Sequence, residues 1–157
     1  MPTGEVHDFD FLAGDWTVHN RRLVARGVGS TEWDEFAGTS HVTLHLAGVV
    51  NVDEIHFPTK GWSGLTLRTF HTERRQWSIY WVSSRTGAMD PPVRGGFTGD
   101  HGEFYGQDED DGQPVHVRFR WTKLGPDRAR WEQAFSPDGE SWELNWTMDF
   151  TRVAPAS

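Results

Sequence analysis

The chain has no cysteine, which excludes disulfides, thiolate metal sites and cysteine nucleophiles at once and suits a reducing compartment. It has no long apolar run. No stretch approaches the roughly 18 residues of a membrane-spanning helix. The opening MPTGEVHDFDFL has neither the basic n-region nor the apolar h-region of a signal peptide. The expectation is a soluble, cytoplasmic protein with no membrane partner. Basic residues are also in deficit: 15 Lys and Arg against 23 Asp and Glu give a net charge of -8, which repels phosphate backbones and argues against nucleic acid. There is no P-loop, dinucleotide fingerprint or G-x-S-x-G elbow, so no cofactor is expected. Among macromolecular partners a second copy of the chain, as a homodimer, stays open.

Aromatic residues are abundant but lopsided, with nine Trp and ten Phe against two Tyr. A tryptophan-packed core explains any one of them, since large rings bury readily. With 157 residues the chain is one domain, long enough to fill a core or to close a sheet around a cavity.

The periodicity is that of strands almost throughout. Gly14 and Asp15 turn the chain into a strand from Trp16 to Leu23, with Val18, Asn20 and Arg22 on the side of Trp16 and His19 and Arg21 opposite. Glu32 to Gly38 reads as a short second strand and His41 to Leu46 as a third, with Val42, Leu44 and Leu46 on its buried face. The segment NVDEIHFP forms a polar knot. Gly64 to Phe70 pairs with Trp77 to Val82, sharing Leu65 and Leu67 with Trp77, Ile79 and Trp81 on one face. A weaker hairpin follows around Gly99 to Gly102, and GQDEDDGQ is an exposed hairpin tip. Val115, Val117, Phe119 and Trp121 alternate against His116, Arg118, Arg120 and Thr122. Trp131, Gln133 and Phe135 alternate against Arg130, Glu132 and Ala134. The last strand sets Trp142, Leu144, Trp146, Met148, Phe150 and Arg152 against Glu143, Asn145, Thr147 and Asp149. About nine or ten strands joined by hairpins leave an all-β fold whose economical solution is a single antiparallel up-and-down β-barrel, spanning about residues 9–152, because closure removes the edges. A two-sheet sandwich is the alternative.

At Gly14-Asp15-Trp16 and at Arg152, near the end of the last strand, the chain resembles the calycin superfamily of lipocalins and fatty-acid-binding proteins. The resemblance implies that Arg152 stacks over Trp16 and closes one end of the barrel. More closely, NVDE, QWSIYW, FRW, WEQAFSPDG and NWTMDFTR are similar to a bacterial group of calycin-like proteins with no assigned activity. The nitrobindin haem proteins extend the opening to Gly-x-Trp-x-Gly, whereas Thr17, Val18 and His19 follow Trp16 here. SPDGESW resembles the Asp-box turn of sialidases, one residue short.

The inner face carries the candidate binding residues: Asn20, Arg22, Thr69 and Gln133 among Trp81, Trp121, Trp131 and Trp146. They imply a lumen that takes a small apolar or aromatic molecule, its polar end fixed by Asn20, Arg22 and Gln133. The alternative is a cofactor-free isomerase, cyclase or lyase in the same cavity, with Asp53 or His56 as base and Tyr80 beside them at the mouth. No metal is expected. His41 and His45 are about 13 Å apart at the usual rise, too far to share an ion, so a site needs His19, His56 and His116 gathered by the fold. Asp108, Glu109, Asp110 and Asp111 lack the spacing of a calcium loop. Arg118, Arg120, Glu132, Glu143 and Asp149 read as a solvated ladder on the outer face.

Overall fold

The computed structural model describes residues 2–154. Ten strands follow one another: β1 (Gly14–Leu23), β2 (Trp33–His45), β3 (Val50–Phe57), β4 (Trp62–His71), β5 (Gln76–Ser83), β6 (Val93–Thr98), β7 (His101–Asp110), β8 (Gln113–Gly125), β9 (Arg128–Ser136) and β10 (Glu143–Arg152). Each pairs antiparallel with its neighbour in the chain, and β1 pairs with β10, so the sheet is a closed up-and-down barrel without an edge. Among the described residues no helix is long and apolar enough to cross a membrane.

Two expected boundaries differ. β2 runs unbroken through Gly38, where two strands had been expected. Gly38 faces inward, and a Cβ there would lie 3.1 to 3.3 Å from the His56 carbonyl, the Asn20 amide and the Phe57 ring, so the glycine permits close packing instead of ending the strand. NVDEIHFP is likewise no knot, for Val50–Phe57 is regular strand with Asn51, Asp53, Ile55 and Phe57 buried on one side.

The inward phase follows hydrophobicity on most strands and departs from it on two. On β4 the buried row is Gly64, Thr66, Arg68 and Phe70, while Leu65 is 37% exposed. Leu65 and Leu67 therefore lie on the outer face, opposite to the expected phase, and so does Thr69, contrary to its expected place in the lumen. On β10 the register shifts between Leu144 and Trp146. This bulge carries Trp142 and Leu144 out of the inner row that Trp146, Met148 and Phe150 occupy. Trp142 instead packs outside, under the Arg118 guanidinium at 4.6 Å.

One end of the barrel is plugged by the N-terminal segment. A single 3-10 turn, Asp10–Leu12, brings Phe9 and Leu12 into full burial. The Phe9 ring meets Trp77 at 5.0 Å and Phe97 at 5.1 Å, both edge-on, the arrangement aromatic quadrupoles favour. The Trp16 indole N–H donates to the Leu12 carbonyl at 2.8 Å. Arg152 lies 4.2 Å over the Trp16 ring and donates to the carbonyls of Ala13 (2.6 Å), Phe11 (2.8 Å) and Pro126 (3.2 Å). Gly14 adopts φ +113°, and a Cβ on it would stand 2.9 Å from Arg152 Nη1, so the first residue of β1 is glycine on both conformational and steric grounds. The other end is open.

Candidate functional site

Between the plug and the open end lies a cavity of about 220 Å³. Its walls carry four indoles, Trp81, Trp121, Trp131 and Trp146, brought inward by the two-residue period of β5, β8, β9 and β10. Trp146 is the hub. Its ring meets Trp131 at 5.5 Å, Trp81 at 6.3 Å and Trp62 at 6.4 Å, all edge-to-face. The Trp146 N–H donates to Asn20 Oδ1 at 3.0 Å, which fixes the rotation of the indole. The Trp81 ring covers Gly64, where a Cβ would come within 2.0 Å of it, so the position of this wall depends on glycine.

The deep part of the cavity is polar on one side. Arg68, 2% exposed, donates from Nη1 to Asn51 Oδ1 at 2.7 Å and from Nη2 to Asp53 Oδ2 at 2.9 Å, and Ser40 donates to the other Asp53 oxygen at 2.6 Å. Its guanidinium also lies 5.1 Å from the Phe9 ring and 5.3 Å from Trp121. Burial pulls the Arg68 pKa below the ordinary value, and Asp53 pushes it back up. Its Nε has no hydrogen-bond partner among the described residues. Further up, Gln133 lines the wall and donates to Asn145 Oδ1 at 2.8 Å, reaching the side chain that the β10 bulge turns inward.

The mouth is charged. Arg22 and Arg26 stand on one side and Asp90, Asp108 and Glu109 also line it, while Asp110 accepts from Arg26 at 3.0 and 3.2 Å. The Arg22 guanidinium lies 4.3 Å over the Trp146 ring. Desolvation first, and then repulsion from Arg26 and Arg85, lowers its pKa to about 10. Asp90 is raised, chiefly by desolvation and then by Asp108. Glu143 accepts from the Gly27 backbone N–H at 2.7 Å and ties the β1–β2 loop to β10.

The expected binding residues divide. Arg22, Trp81, Trp121, Trp131, Gln133 and Trp146 line the cavity. Asn20 does not, being wholly buried behind Trp146 with its carbonyl oxygen occupied by that indole. The three residues expected at the mouth as acid or base are not brought together. Asp53 is deep, with both oxygens engaged by Arg68 and Ser40. His56 is exposed on the outer face of β3, against Ser63 at 2.8 Å and Glu54 at 3.3 Å. Tyr80 falls between the inward Ile79 and Trp81 and so takes the outer face as well. His19 pairs with Glu35 at 3.0 Å on the outside, and His116 lies near Gly139 beyond the end of β9. On the outer face Arg130 pairs with Asp149 at 3.1 Å and Arg120 with Glu103 at 3.6 Å, cross-strand contacts of a charge ladder. Sequence reasoning missed Arg68, although the polar segment NVDEIHFP held both of its partners, Asn51 and Asp53. Leu65 and Leu67 gave the stronger signal for the inward phase of β4, and only the acidic Asp53 on the adjoining strand hinted at a buried cation.

No family model matches the chain, and no curated protein matches it in sequence. In structure it is similar to a protein of unknown function of the DUF3598 family from Nostoc punctiforme, at TM-score 0.53 and 12% identity. The match covers 98% of this chain and 51% of that one, so the chain spans about half of its neighbour's length. At that identity the likeness concerns the fold alone.

Proposed function

We propose that the barrel binds a small apolar or aromatic molecule in its lumen, held between the indoles of Trp81, Trp121, Trp131 and Trp146. The observation that carries this reading is that the rings line the cavity without filling it. Apolar cavities of about 150 Å³ take up one benzene ring, so about 220 Å³ admits a molecule of roughly one to two rings. We also place the chain with calycin-like barrels, on the strength of Gly14-Asp15-Trp16 opening β1 and Arg152 stacked on Trp16. Asp53, with both oxygens occupied, offers no free base, and that favours binding over an isomerase, cyclase or lyase.

The test is a panel of one- and two-ring aromatic molecules followed by Trp fluorescence and calorimetry. Binding should quench or shift the emission, and Trp146→Ala should weaken it about tenfold, the worth of roughly one aromatic pair. Glu132→Ala on the outer face of β9 should leave it unchanged. Glu143 is unsuitable as that control because it holds the β1–β2 loop. A panel that leaves both emission and heat unchanged removes this reading.

A further inference from the structure

The mouth holds a cation without an anion of its own. Arg22 lines the cavity and stacks on Trp146, yet among the described residues it makes no ion pair and no side-chain hydrogen bond. The charged groups that act on it are Arg26, Arg85, Asp110 and Asp34. Both acids are committed elsewhere, Asp110 to Arg26 at 3.0 Å and Asp34 to Lys60. Arg85 lies 3.8 Å over Trp62, the indole beside Trp146, and adds positive potential at the same rim. A partly desolvated guanidinium among other cations is costly to keep. Its plane is held by the indole below it, which leaves its edge N–H groups free to receive a planar anion. The acids across the mouth, Asp90, Asp108 and Glu109, make no ion pair or hydrogen bond with Arg22 among the described residues and are not among the charges that act on it most.

We propose that the lumen ligand carries one anionic group, a carboxylate or an equivalent oxyanion, which sits at the mouth against the Arg22 guanidinium while its aromatic body lies on Trp146. The inference rests on the lumen-binding reading and adds the chemical class of ligand. The orientation follows from the two ends of the cavity. At the deep end Arg68 already has Asp53 as counter-charge, so an anion there would face a carboxylate, whereas at the mouth it meets an unpaired arginine.

A matched pair of probes separates the two ideas: 2-naphthoate and 2-naphthamide, of the same shape but different charge, titrated into the full chain by calorimetry with Trp emission as the second readout. The wild type should bind the naphthoate on the order of tenfold more tightly, the usual strength of a charge-assisted hydrogen bond, and the preference should shrink with added salt. Arg22→Met should abolish the preference, lowering naphthoate affinity on the order of tenfold more than naphthamide affinity, and Arg22→Lys should retain much of the preference because the charge remains. Equal binding of both probes by the wild type, or a preference that survives Arg22→Met, overturns the anion site and leaves lumen binding standing. If Arg22→Met weakens both probes alike, the residue only packs against Trp146 and the proposal fails. Binding of neither probe overturns both ideas together.

Discussion

Two single residues carry more than their own packing. Arg152 joins the last strand to the N-terminal plug, donating to the Ala13, Phe11 and Pro126 carbonyls while covering Trp16. Those carbonyls lose a charged donor together in Arg152→Met, so the substitution should cost about 2–4 kcal/mol, measured as a lower urea midpoint at unchanged slope. Arg152→Lys should recover little, since one ammonium cannot reach three carbonyls in the fork geometry of guanidinium. Asp90 acts in the opposite sense. Its folded pKa is raised by desolvation and by Asp108, so the unfolded chain gives up that proton at lower pH than the folded one. Stability present while both forms are protonated is lost as pH rises through the carboxylate range. Asp90→Asn should therefore raise Tm at pH 7, with wild type and variant converging below about pH 3, where the carboxyl is neutral in both states. A Tm difference that persists unchanged at low pH would refute the electrostatic cause.

Strands differ in how openly they declare their inward face. β8 and β9 were legible, because Val117, Phe119 and Trp121, then Trp131, Gln133 and Phe135, alternate with Arg118 and Arg120, then Glu132 and Ala134, and all six line the cavity. β4 was not, because its lumen side holds Thr66 and Arg68 while leucines go outside. The buried pair of Arg68 with Asp53 across β3 and β4 takes the inner face and the two Leu side chains take the outer one, and hydrophobicity alone cannot foresee a buried ion pair. β10 hid its bulge, since Trp142, Leu144 and Trp146 keep perfect alternation in sequence while the backbone shifts register between Leu144 and Trp146. The β3–β4 coupling can be measured. Arg68→Met strands the Asp53 carboxylate and should cost about 3–5 kcal/mol, whereas Arg68→Met with Asp53→Leu should cost less than Arg68→Met alone. Additive losses in that cycle would mean the two strands are held by packing, not by the pair.

At the scale of the barrel, closure is uneven, and the unevenness points to a route into the lumen. β1 and β2 register from Gly14–Val42 to Leu23–Trp33, along the whole height of the wall. β5 and β6 register only through Trp77–Gly95, Ser78–Arg94 and Ile79–Val93, all near the plugged end. Above Ile79 the upper part of β5 meets the loop that follows it, through the Val82–Met89 bridge and the Asp90 N–H to the Trp81 carbonyl at 3.0 Å. The wall is thus thinnest beside Trp81 and Asp90, two residues that line the cavity. Few ladder hydrogen bonds mean a low free energy of local opening, so the amides of residues 80–90 should exchange with deuterium faster than those of β1, β2 and β8. A lumen ligand closes that opening by mass action, since it binds the closed wall and not the parted one. At a hundredfold excess over Kd, protection of residues 80–90 should rise by up to about a hundredfold, as should that of amides exchanging through global unfolding, while amides that exchange through openings remote from the cavity gain nothing. Unchanged protection of residues 80–90 at saturating ligand would show that their opening does not release the ligand and that no gate lies there.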